Sequence, residues 1–334
     1  MKGYKAFKKG LVCKGKQYAE NTIFEEENAE VCKCGMHFCE NPLDVLDYYP
    51  LIDDNGELAE YAEVEALDEV LTDDNKKYCT KKLKIGAKLD LPAFVKASID
   101  FQFEKTPVEK TIKECKNSNS GSDSTIANSG SDSTIANSGS YGRIANSGSD
   151  STIANSGSDS RIANSGLGGR IANSGSDSTI ANSGLGGTIA NSGSDSRIAN
   201  SGSGGRIANS GSDSRIANSG LGGTIANSGS DSRIANSGLG GRIANSGSYG
   251  RIANSGSDST IVNSGSDSVI CCAGVNNMVK SVKGCWITLA EWKYDENKNR
   301  YIPVCVKTEY VDGKKIKENV FYKLVNGEFT EVEE

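Results

Sequence analysis

The densest group of residues that could do chemistry is the run Cys32-Lys-Cys34-Gly-Met-His37-Phe-Cys39. Three thiols and the only histidine of the chain are ligand types that bind Zn²⁺. The spacing matches no standard zinc finger, and alternation along a strand would split the four side chains between two faces. Two other interpretations stay open. The cysteines are small buried hydrophobic side chains, or one cysteine and His37 form a nucleophile pair, although no third orienting group is indicated.

A second candidate is the acidic segment YAEVEALDE (61–69), which carries Glu63 and Glu65. Together with a Gly-rich start and the segment GMHFCENPLDVLDYY (35–49), its order resembles that of ADP-ribosyltransferases, which implies Glu63 or Glu65 as the catalytic acid. The chain departs from that pattern, because residues 1–115 contain no Arg to hold dinucleotide phosphates and no Ser-Thr-Ser strand. Walker, Rossmann, Ser-His-Asp and HExxH patterns are absent. We predict that the protein is not an enzyme, and leave the question open for residues 1–115.

The remaining chemistry is carried by charges at fixed spacing. Every second copy of a nine-residue repeat places an Arg on the same face of the chain. This predicted arginine row consists of Arg143, Arg161, Arg197, Arg215, Arg233 and Arg251. The predicted aspartate row consists of Asp159, Asp177, Asp195, Asp213 and Asp231. Four of the arginines follow an aspartate by two residues and could pair with it, and Ca²⁺ between coils is the alternative. The calcium β-roll repeat needs a glycine pattern that this chain lacks.

The element that positions these rows is the repeat itself, (Thr/Arg)-Ile-Ala-Asn-Ser-Gly followed by three variable residues. A Gly in every unit and a nine-residue spacing argue against a helix or a coiled coil. The invariant Ile argues against a disordered linker and predicts a stacked solenoid with a continuous core. This ladder comprises Ile126, Ile135, Ile144, Ile153, Ile162, Ile171, Ile180, Ile189, Ile198, Ile207, Ile216, Ile225, Ile234, Ile243, Ile252, Ile261 and Ile270.

The variable residues reveal a longer period of two repeats. Turns after even-numbered copies read Ser-Asp-Ser, with Tyr141 and Tyr249 at the two ends of the series, and the intervening turns carry Leu-Gly-Gly in the middle of the array. We therefore predict coils of about 18 residues with two chemically distinct edges. The second edge carries Leu167, Leu185, Leu221 and Leu239. These leucines either tuck inward or form an exposed apolar stripe suited to lateral association. The direction of the repeat Asn stays open, and the repeat Gly is expected to supply positive φ.

The predicted fold class is mainly β. It comprises an α/β N-terminal capping domain (1–115), a β-solenoid of 9-residue repeats (116–272) and a β-rich C-terminal cap (273–334). Within the first segment, Asn41-Pro42 predicts a helix start, residues 61–66 and 81–85 alternate like strands, and residues 108–115 suggest a short helix. Residues 285–292 and 301–306 predict a hairpin, and Asp312-Gly313 and Asn326-Gly327 are further turn signals.

Charge and composition limit the partners. Between Ile126 and Ile270 the array holds nine Arg and nine Asp, so the net charge of −6 belongs to the flanking segments. That balance provides no basic footprint for nucleic acid. No apolar run is long enough to span a membrane, and the start of the chain carries no signal-peptide pattern. Ten cysteines without a secretion signal favour reduced thiols. We expect a cytoplasmic protein of a bacterial host or a phage, without a cofactor unless Zn²⁺ or Ca²⁺ binds as above.

Three segments resemble a known family: GYKAFKKGLVCKGKQY (3–18), GMHFCENPLDVLDYYP (35–50) and GCWITLAEWKYDE (284–296). They are similar to an uncharacterised family of gut-bacterial and phage proteins with a variable repeat array between similar ends. The resemblance implies the three-part architecture and no activity. The repeats also distantly resemble the β-roll heads of trimeric bacterial adhesins.

The function predicted from these patterns is a non-enzymatic scaffold that acts by self-assembly or by binding a partner along its faces. Self-association is the expected partnership, and an acidic or anionic partner along the arginine row is the other. Two alternatives remain: an effector or enzyme domain in residues 1–115 with the solenoid as spacer, and an ice- or ligand-binding solenoid. Arg at the Thr position in nine of 17 copies interrupts the flat face that ice binding would need.

Overall fold

The computed structural model describes residues 1–52, 58–73, 76–105 and 117–332. The chain forms two compact units, Met1–Phe101 and Gln102–Glu334. Within the described residues, no helix is both long enough and apolar enough to cross a membrane. The fold is mainly β, as predicted, with one α-helix and one 3₁₀ helix among the described elements.

The first unit is built on a seven-stranded antiparallel sheet in the order β4-β9-β6-β1-β5-β8-β7. Its strands are β1 (Lys2–Phe7), β2 (Val12–Cys13), β3 (Lys16–Gln17), β4 (Ile23–Glu25), β5 (Met36–Cys39), β6 (Glu60–Ala66), β7 (Val70–Thr72), β8 (Lys77–Thr80) and β9 (Lys82–Leu89). Strands β2 and β3 form a separate hairpin. A 3₁₀ helix (Pro42–Asp47) follows β5, and helix α1 (Leu91–Lys105) follows β9.

Alternation along the central strands places side chains on the two faces of this sheet. One face carries a core that includes Phe7, Val64 and Leu83. On the other face, the ring of Tyr61 stacks on that of Phe94 in α1, with 3.9 Å between ring centroids. The helix begins where the Asp90 carboxylate accepts the backbone N–H of Ala93 at 2.8 Å, a side-chain cap of a free helix donor.

Several local predictions for this unit are confirmed. Asn41 caps the 3₁₀ helix, because its side-chain oxygen accepts the N–H of Leu43 at 3.1 Å and Pro42 occupies the first turn. The alternating segments 61–66 and 81–85 lie in β6 and β9. The predicted helix over 108–115 lies outside the described residues.

The second unit contains the predicted β-solenoid. Its strands alternate between two parallel sheets of ten strands each. Each strand pairs with the strand 18 residues away, except for the last pair of the second sheet, which is 17 residues apart. The first solenoid sheet consists of β10 (Asn117–Asn119), β12 (Thr134–Asn137), β14 (Thr152–Asn155), β16 (Arg170–Asn173), β18 (Thr188–Asn191), β20 (Arg206–Asn209), β22 (Thr224–Asn227), β24 (Arg242–Asn245), β26 (Thr260–Asn263) and β28 (Met278–Ser281). The second consists of β11 (Thr125–Asn128), β13 (Arg143–Asn146), β15 (Arg161–Asn164), β17 (Thr179–Asn182), β19 (Arg197–Asn200), β21 (Arg215–Asn218), β23 (Arg233–Asn236), β25 (Arg251–Asn254), β27 (Val269–Cys272) and β29 (Trp286–Asp295).

The isoleucine ladder lies between the two sheets. All 17 isoleucines are buried and belong to one apolar cluster. In-register pairs such as Ile144 with Ile162 and Ile135 with Ile153 stack each side chain on its equivalent one coil away. The 18-residue coil and its buried ladder are therefore confirmed.

The invariant glycine has a different role from the one expected. The Gly of each Ser-Gly pair does not have positive φ; a Cβ on Gly193 would lie only 2.2 Å from the carbonyl oxygen of Gly175, one coil earlier. Positive φ falls instead on the middle variable residue, which is Asp195 on one edge and Gly186 on the other, at 55° and 66°. The expectation was wrong because backbones of adjacent coils approach most closely at the invariant glycine, whereas the turn bends at the residue after the following Ser.

The C-terminal residues continue both sheets and then reverse direction. Strand β29 pairs in parallel with β27 and then antiparallel with β30 (Arg300–Tyr310), which is the predicted hairpin. On the first sheet, β28 pairs antiparallel with β31 (Phe321–Val325), which turns at Asn326 into β32 (Glu328–Glu331). Antiparallel strands thus occupy the end of each parallel sheet. They pair with the last parallel strand, whose edge would otherwise be left without hydrogen-bond partners.

Candidate functional site

The outward face of the second solenoid sheet carries the charged rows. From Asp159 to Leu167, exposed residues alternate with buried ones, so this coil presents Asp, Arg, Ala, Ser and Leu in that order. Other coils repeat the pattern with substitutions such as Thr179 and Ser203. Along a strand, the Cα atoms of neighbouring exposed residues are about 6.6 Å apart. Equivalent residues of adjacent coils are about 4.8 Å apart. The face is therefore a grid with a charged side and an apolar side, which we call the solenoid face.

The arginine row lies on this grid as predicted. Its members occupy one register position, with Arg143 paired to Arg161, Arg197 to Arg215, and Thr179 filling the coil in between. All six side chains are exposed. In the part of the chain that the structure describes, no ion pair joins any of them to a carboxylate. The row is therefore a column of exposed guanidinium groups that no direct ion pair engages in the described residues.

The aspartate row runs beside the arginine row along the edge of the solenoid. Each Asp has φ between 54° and 56°, a left-handed conformation that Asp and Asn tolerate best after Gly. Its backbone N–H donates to a Ser carbonyl of the next coil, as Asp195 does to Ser212 at 3.0 Å. All five side chains are exposed. The turn geometry explains why this position takes Asp, and it leaves the carboxylates to solvent or a partner.

The predicted pairing of each Asp with the Arg two residues later is not present. Over the described ranges, no ion pair connects Asp159 to Arg161, or any other member of one row to the other. Each Asp lies in the left-handed turn that precedes the strand, whereas its Arg is the first residue of that strand, so the two side chains leave different backbone geometries. Nor does any group of three His, Cys, Asp or Glu within these ranges have a geometry that could hold a metal ion, so the structure does not support Ca²⁺ along this edge.

Tyr141 and Tyr249 flank the aspartate row at the same turn position, and Asp123 and Asp267 occupy that position one coil further out. The two tyrosines have the same left-handed φ, 58° and 56°, and are 57 % and 58 % exposed. A left-handed conformation costs an ordinary L-residue about 1–2 kcal/mol relative to Gly. Two exposed aromatic rings are therefore held at a cost in backbone strain on either side of the five central aspartates.

The leucine row settles a question that the sequence leaves open. Leu167, Leu185, Leu221 and Leu239 are between 49 % and 56 % exposed, so they face outward. They form an apolar stripe along the edge opposite the aspartate row, interrupted by Ser203. Two shallow grooves of about 820 and 680 Å³ flank the alanine column between the two edges.

Asparagine ladders inside the solenoid fix the spacing of all these rows. The side-chain Nδ2–H of Asn146 donates to Oδ1 of Asn164 at 2.7 Å, and the same bond recurs every 18 residues along both sheets. Each Nδ2 also donates to the carbonyl of the Gly two residues later, as in Asn146 to Gly148 at 2.9 Å. These amides are buried and mutually satisfied, so the interior holds the coils at one fixed separation.

The Cys32, Cys34, His37 and Cys39 run does not form a ligand set. Cys32 and Cys34 are exposed in the loop before β5, whereas Cys39 is buried within β5. Nε2 of His37 accepts the backbone N–H of Cys32 at 3.0 Å, and the Cys32 thiol accepts from Lys77 at 2.8 Å. This arrangement does not support the zinc interpretation. Of the three cysteines in this run, only Cys39 fits the interpretation as a small buried hydrophobic side chain.

Glu63 and Glu65 lie on β6, where Glu63 is exposed and Glu65 is partly exposed. In register they face Tyr4 and Lys2 of β1. The proposed catalytic acid of an ADP-ribosyltransferase-like site stays a prediction.

Sequence reasoning missed a cavity of about 670 Å³ in the first unit, whose lining includes Lys5, Cys13, Tyr18, His37, Tyr49 and Lys77. The signal that could have found it is Lys5 itself. In the strand KGYKAF, the charged Lys5 has the same parity as Gly3 and Phe7 and therefore points into the unit.

Comparison with known proteins adds one finding. Residues 1–97 match the model of a family described as Domain of unknown function (DUF7666). The predicted resemblance to an uncharacterised family is thereby confirmed for the first unit; the match ends within α1 and does not extend to the solenoid. No curated protein and no solved structure matches the chain.

Proposed function

We propose that this protein is a non-enzymatic β-solenoid scaffold that associates with a second copy of itself through the aspartate and arginine rows. The observation that carries the proposal is that both rows are exposed and that neither is ion-paired within the described residues. Both rows have one position per coil, with Thr179 as the one uncharged position of the arginine row, so a second copy presents the opposite charge at the same spacing. An unrelated acidic partner would have to match that spacing by coincidence.

A two-fold axis parallel to the solenoid, placed between the two rows, makes the surface self-complementary. It sets each Asp of one copy opposite the Arg of the same coil in the other. Four coils then form opposite-charge pairs in both directions: Asp159 with Arg161, Asp195 with Arg197, Asp213 with Arg215 and Asp231 with Arg233. Only Asp177 meets the uncharged Thr179.

The two ends of the strip fit the same arrangement. Tyr141 would face Arg143 of the other copy, and Tyr249 would face Arg251. A guanidinium over an exposed aromatic ring contributes about 0.5–1 kcal/mol. The alternative two-fold axis lies in the plane of the face and perpendicular to the solenoid axis; it places aspartate against aspartate and is opposed by like-charge repulsion.

The expected association is weak and salt-dependent. A strip two columns wide and seven coils long covers roughly 450 Å² of each copy, less than the about 800 Å² that a partner buries in a standard stable interface. Exposed ion pairs contribute about 0–1 kcal/mol each, against several kcal/mol for lost translational and rotational freedom.

Two charge variants test the pairing. One carries Arg197→Glu, Arg215→Glu and Arg233→Glu; the other carries Asp195→Asn, Asp213→Asn and Asp231→Asn, with Asn keeping the left-handed turn. Each variant alone loses the ion pairs of three coils. Sedimentation equilibrium should therefore give each variant a higher dimer dissociation constant than the unsubstituted protein. Mixed in equal amounts, the two should form a heterodimer, because the aspartates of the first face the arginines of the second.

The control is a variant with Arg170→Glu, Arg206→Glu and Arg242→Glu, which has the same net charge change on the first solenoid sheet. It should associate like the unsubstituted protein. If both arginine variants weaken association equally, or if mixing restores nothing, the rows do not pair between copies.

A further inference from the structure

The cavity of the first unit is lined by a buried lysine, Lys5. Lys5 lies on central strand β1 and only 5 % of it is exposed. Its ammonium donates to the backbone carbonyl of His37 at 2.8 Å and lies over the rings of Phe7 and Tyr18, 5.6 and 5.5 Å from their centroids. Among the described residues, no carboxylate forms an ion pair with it.

A buried ammonium without a carboxylate is costly, and the neutral amine relieves that cost. Burial lowers the pKa of Lys5, while the neighbouring Cys13 thiol partly offsets the effect. A lysine amine desolvated among aromatic rings is a recognised nucleophile towards carbonyl compounds. The cavity volume of about 670 Å³ lies within the range of small-molecule sites.

The charge of the cavity indicates what kind of molecule it would take. Lys14 and Lys77 also line it. Lys14 forms no ion pair within the described residues, whereas Lys16, another lining residue, pairs with Glu26 at 2.7 Å. Burial lowers the pKa of His37, and the positive charges of Lys5, Lys14 and Lys77 lower it further. The lining also includes Asp47, but even with Lys5 neutral the charges of Lys14 and Lys77 outnumber that carboxylate, so the cavity favours an anionic substituent.

A proton relay stands next to the amine. The Cys13 thiol and the Tyr49 hydroxyl are hydrogen-bonded at 3.1 Å, and both residues line the cavity. Burial raises the pKa of Tyr49, so it stays protonated and can donate. A hydroxyl at this place can supply a proton to an oxygen that leaves a carbon bonded to Lys5.

We propose that Lys5 captures a small carbonyl compound bearing a carboxylate, as an imine. The neutral Nζ adds to the carbonyl carbon, and one of its protons moves to the carbonyl oxygen to give a carbinolamine. The hydroxyl then leaves as water, taking a proton from Tyr49, and the second Nζ proton returns to the tyrosinate through Cys13. One C=N bond forms, one C=O bond breaks, and no oxidant or reductant takes part.

Reductive trapping on the full chain tests this inference. The protein is incubated at pH 7 with glyoxylate and sodium cyanoborohydride, and modified lysines are mapped by mass spectrometry of peptides. Exposed lysines are almost fully protonated at this pH. Among the lysine side chains, Lys5 should therefore carry most of the adduct at low reagent concentration, ahead of the exposed Lys2 on the same strand and Lys96 on the helix.

Two comparisons separate the roles. Propionaldehyde, which lacks the carboxylate, should label Lys5 roughly tenfold more slowly than glyoxylate, and Lys14→Ala should reduce that preference. Tyr49→Phe keeps the ring and should slow trapping without changing which lysine reacts. Labelling of Lys5 no faster than that of Lys2 in the unsubstituted protein overturns the proposal, and that measurement does not depend on any variant folding.

Discussion

Asn173 donates its side-chain Nδ2–H to Oδ1 of Asn191, 18 residues further along the chain, at 2.7 Å. Asn191 in turn donates to Asn209 at 2.7 Å and to the carbonyl of Gly193 at 2.9 Å. The buried amides thus form a continuous chain of hydrogen bonds parallel to the solenoid axis, one link per coil.

Interrupting this chain should destabilise the solenoid. Asn191→Leu leaves the donor of Asn173, the acceptor of Asn209 and the Gly193 carbonyl without their partner in a buried site. We expect a loss of at least about 3 kcal/mol in the free energy of unfolding, since three buried groups are left unsatisfied and each costs about 1–3 kcal/mol. Urea unfolding followed by circular dichroism measures it. The exposed Ser174→Ala is the matched control and should stay within about 0.5 kcal/mol.

The two kinds of glycine in the repeat should respond differently to substitution. Gly193→Ala would place a methyl group 2.2 Å from a backbone oxygen, so adjacent coils must separate. Gly186 has open space around it and a φ of 66°, so Gly186→Asn should be nearly neutral. Thermal unfolding should show a clear loss for the first variant and a shift of only a degree or two for the second. Equal losses would mean that the coils do not approach as closely as described.

Relief of backbone strain at the tyrosines should stabilise the solenoid. Tyr249 has a φ of 56° and its ring is more than half exposed. Tyr249→Asn removes little buried contact and installs a residue that tolerates this conformation, so a gain of about 1 kcal/mol is expected. The same variant should weaken self-association if the ring meets Arg251 of a second copy. A gain in stability without weaker association would show that Tyr249 does not take part in the proposed interface.

The first unit should lose stability in acid through Glu60. Burial would raise the pKa of this carboxyl, but hydrogen bonds from Lys88 and from the backbone N–H of Leu11 outweigh it and hold the pKa below 4.5. The folded state therefore binds fewer protons than the unfolded state near that pH. The contribution of Glu60 is present above pH 4.5 and is lost as the pH falls through the lower folded value.

Thermal unfolding, followed by tyrosine circular dichroism in the near ultraviolet, measures this acid sensitivity. Glu60→Gln should already be less stable at pH 7 and should lose less on acidification than the unsubstituted protein. Glu63→Gln, at an exposed position of the same strand, is the control. An unchanged pH dependence in Glu60→Gln would show that another group dominates.

The sequence predicted the solenoid because its period alone determines which residues stack. Ile126 and Ile144 had to meet in any regular 18-residue coil, and so did Arg143 and Arg161. The direction of Asn146 was not predictable, because an amide ladder can form on either side of a sheet. The role of Gly193 was missed because it depends on a backbone oxygen one coil away.

The first unit was less predictable for a related reason. Local signals located the cap at Asn41 and the strand over 61–66, but the pairing of β1 between β5 and β6 joins segments far apart in sequence. Only that pairing brings Lys5 close to His37, Cys13 and Tyr49. The composition of the cysteine-rich run predicted a site that the structure does not form. The sequence signal for the cavity is a single lysine that points inward.

The most direct test of the proposed scaffold is sedimentation equilibrium of the unsubstituted protein across ionic strength. At about 0.01 M salt, where the Debye length is about 30 Å, a monomer–dimer equilibrium should be evident. At about 1 M, where it is about 3 Å, the dimer should dissociate. A strict monomer at low salt and high protein concentration, or a dimer that strengthens as salt is added, would contradict pairing between the aspartate and arginine rows.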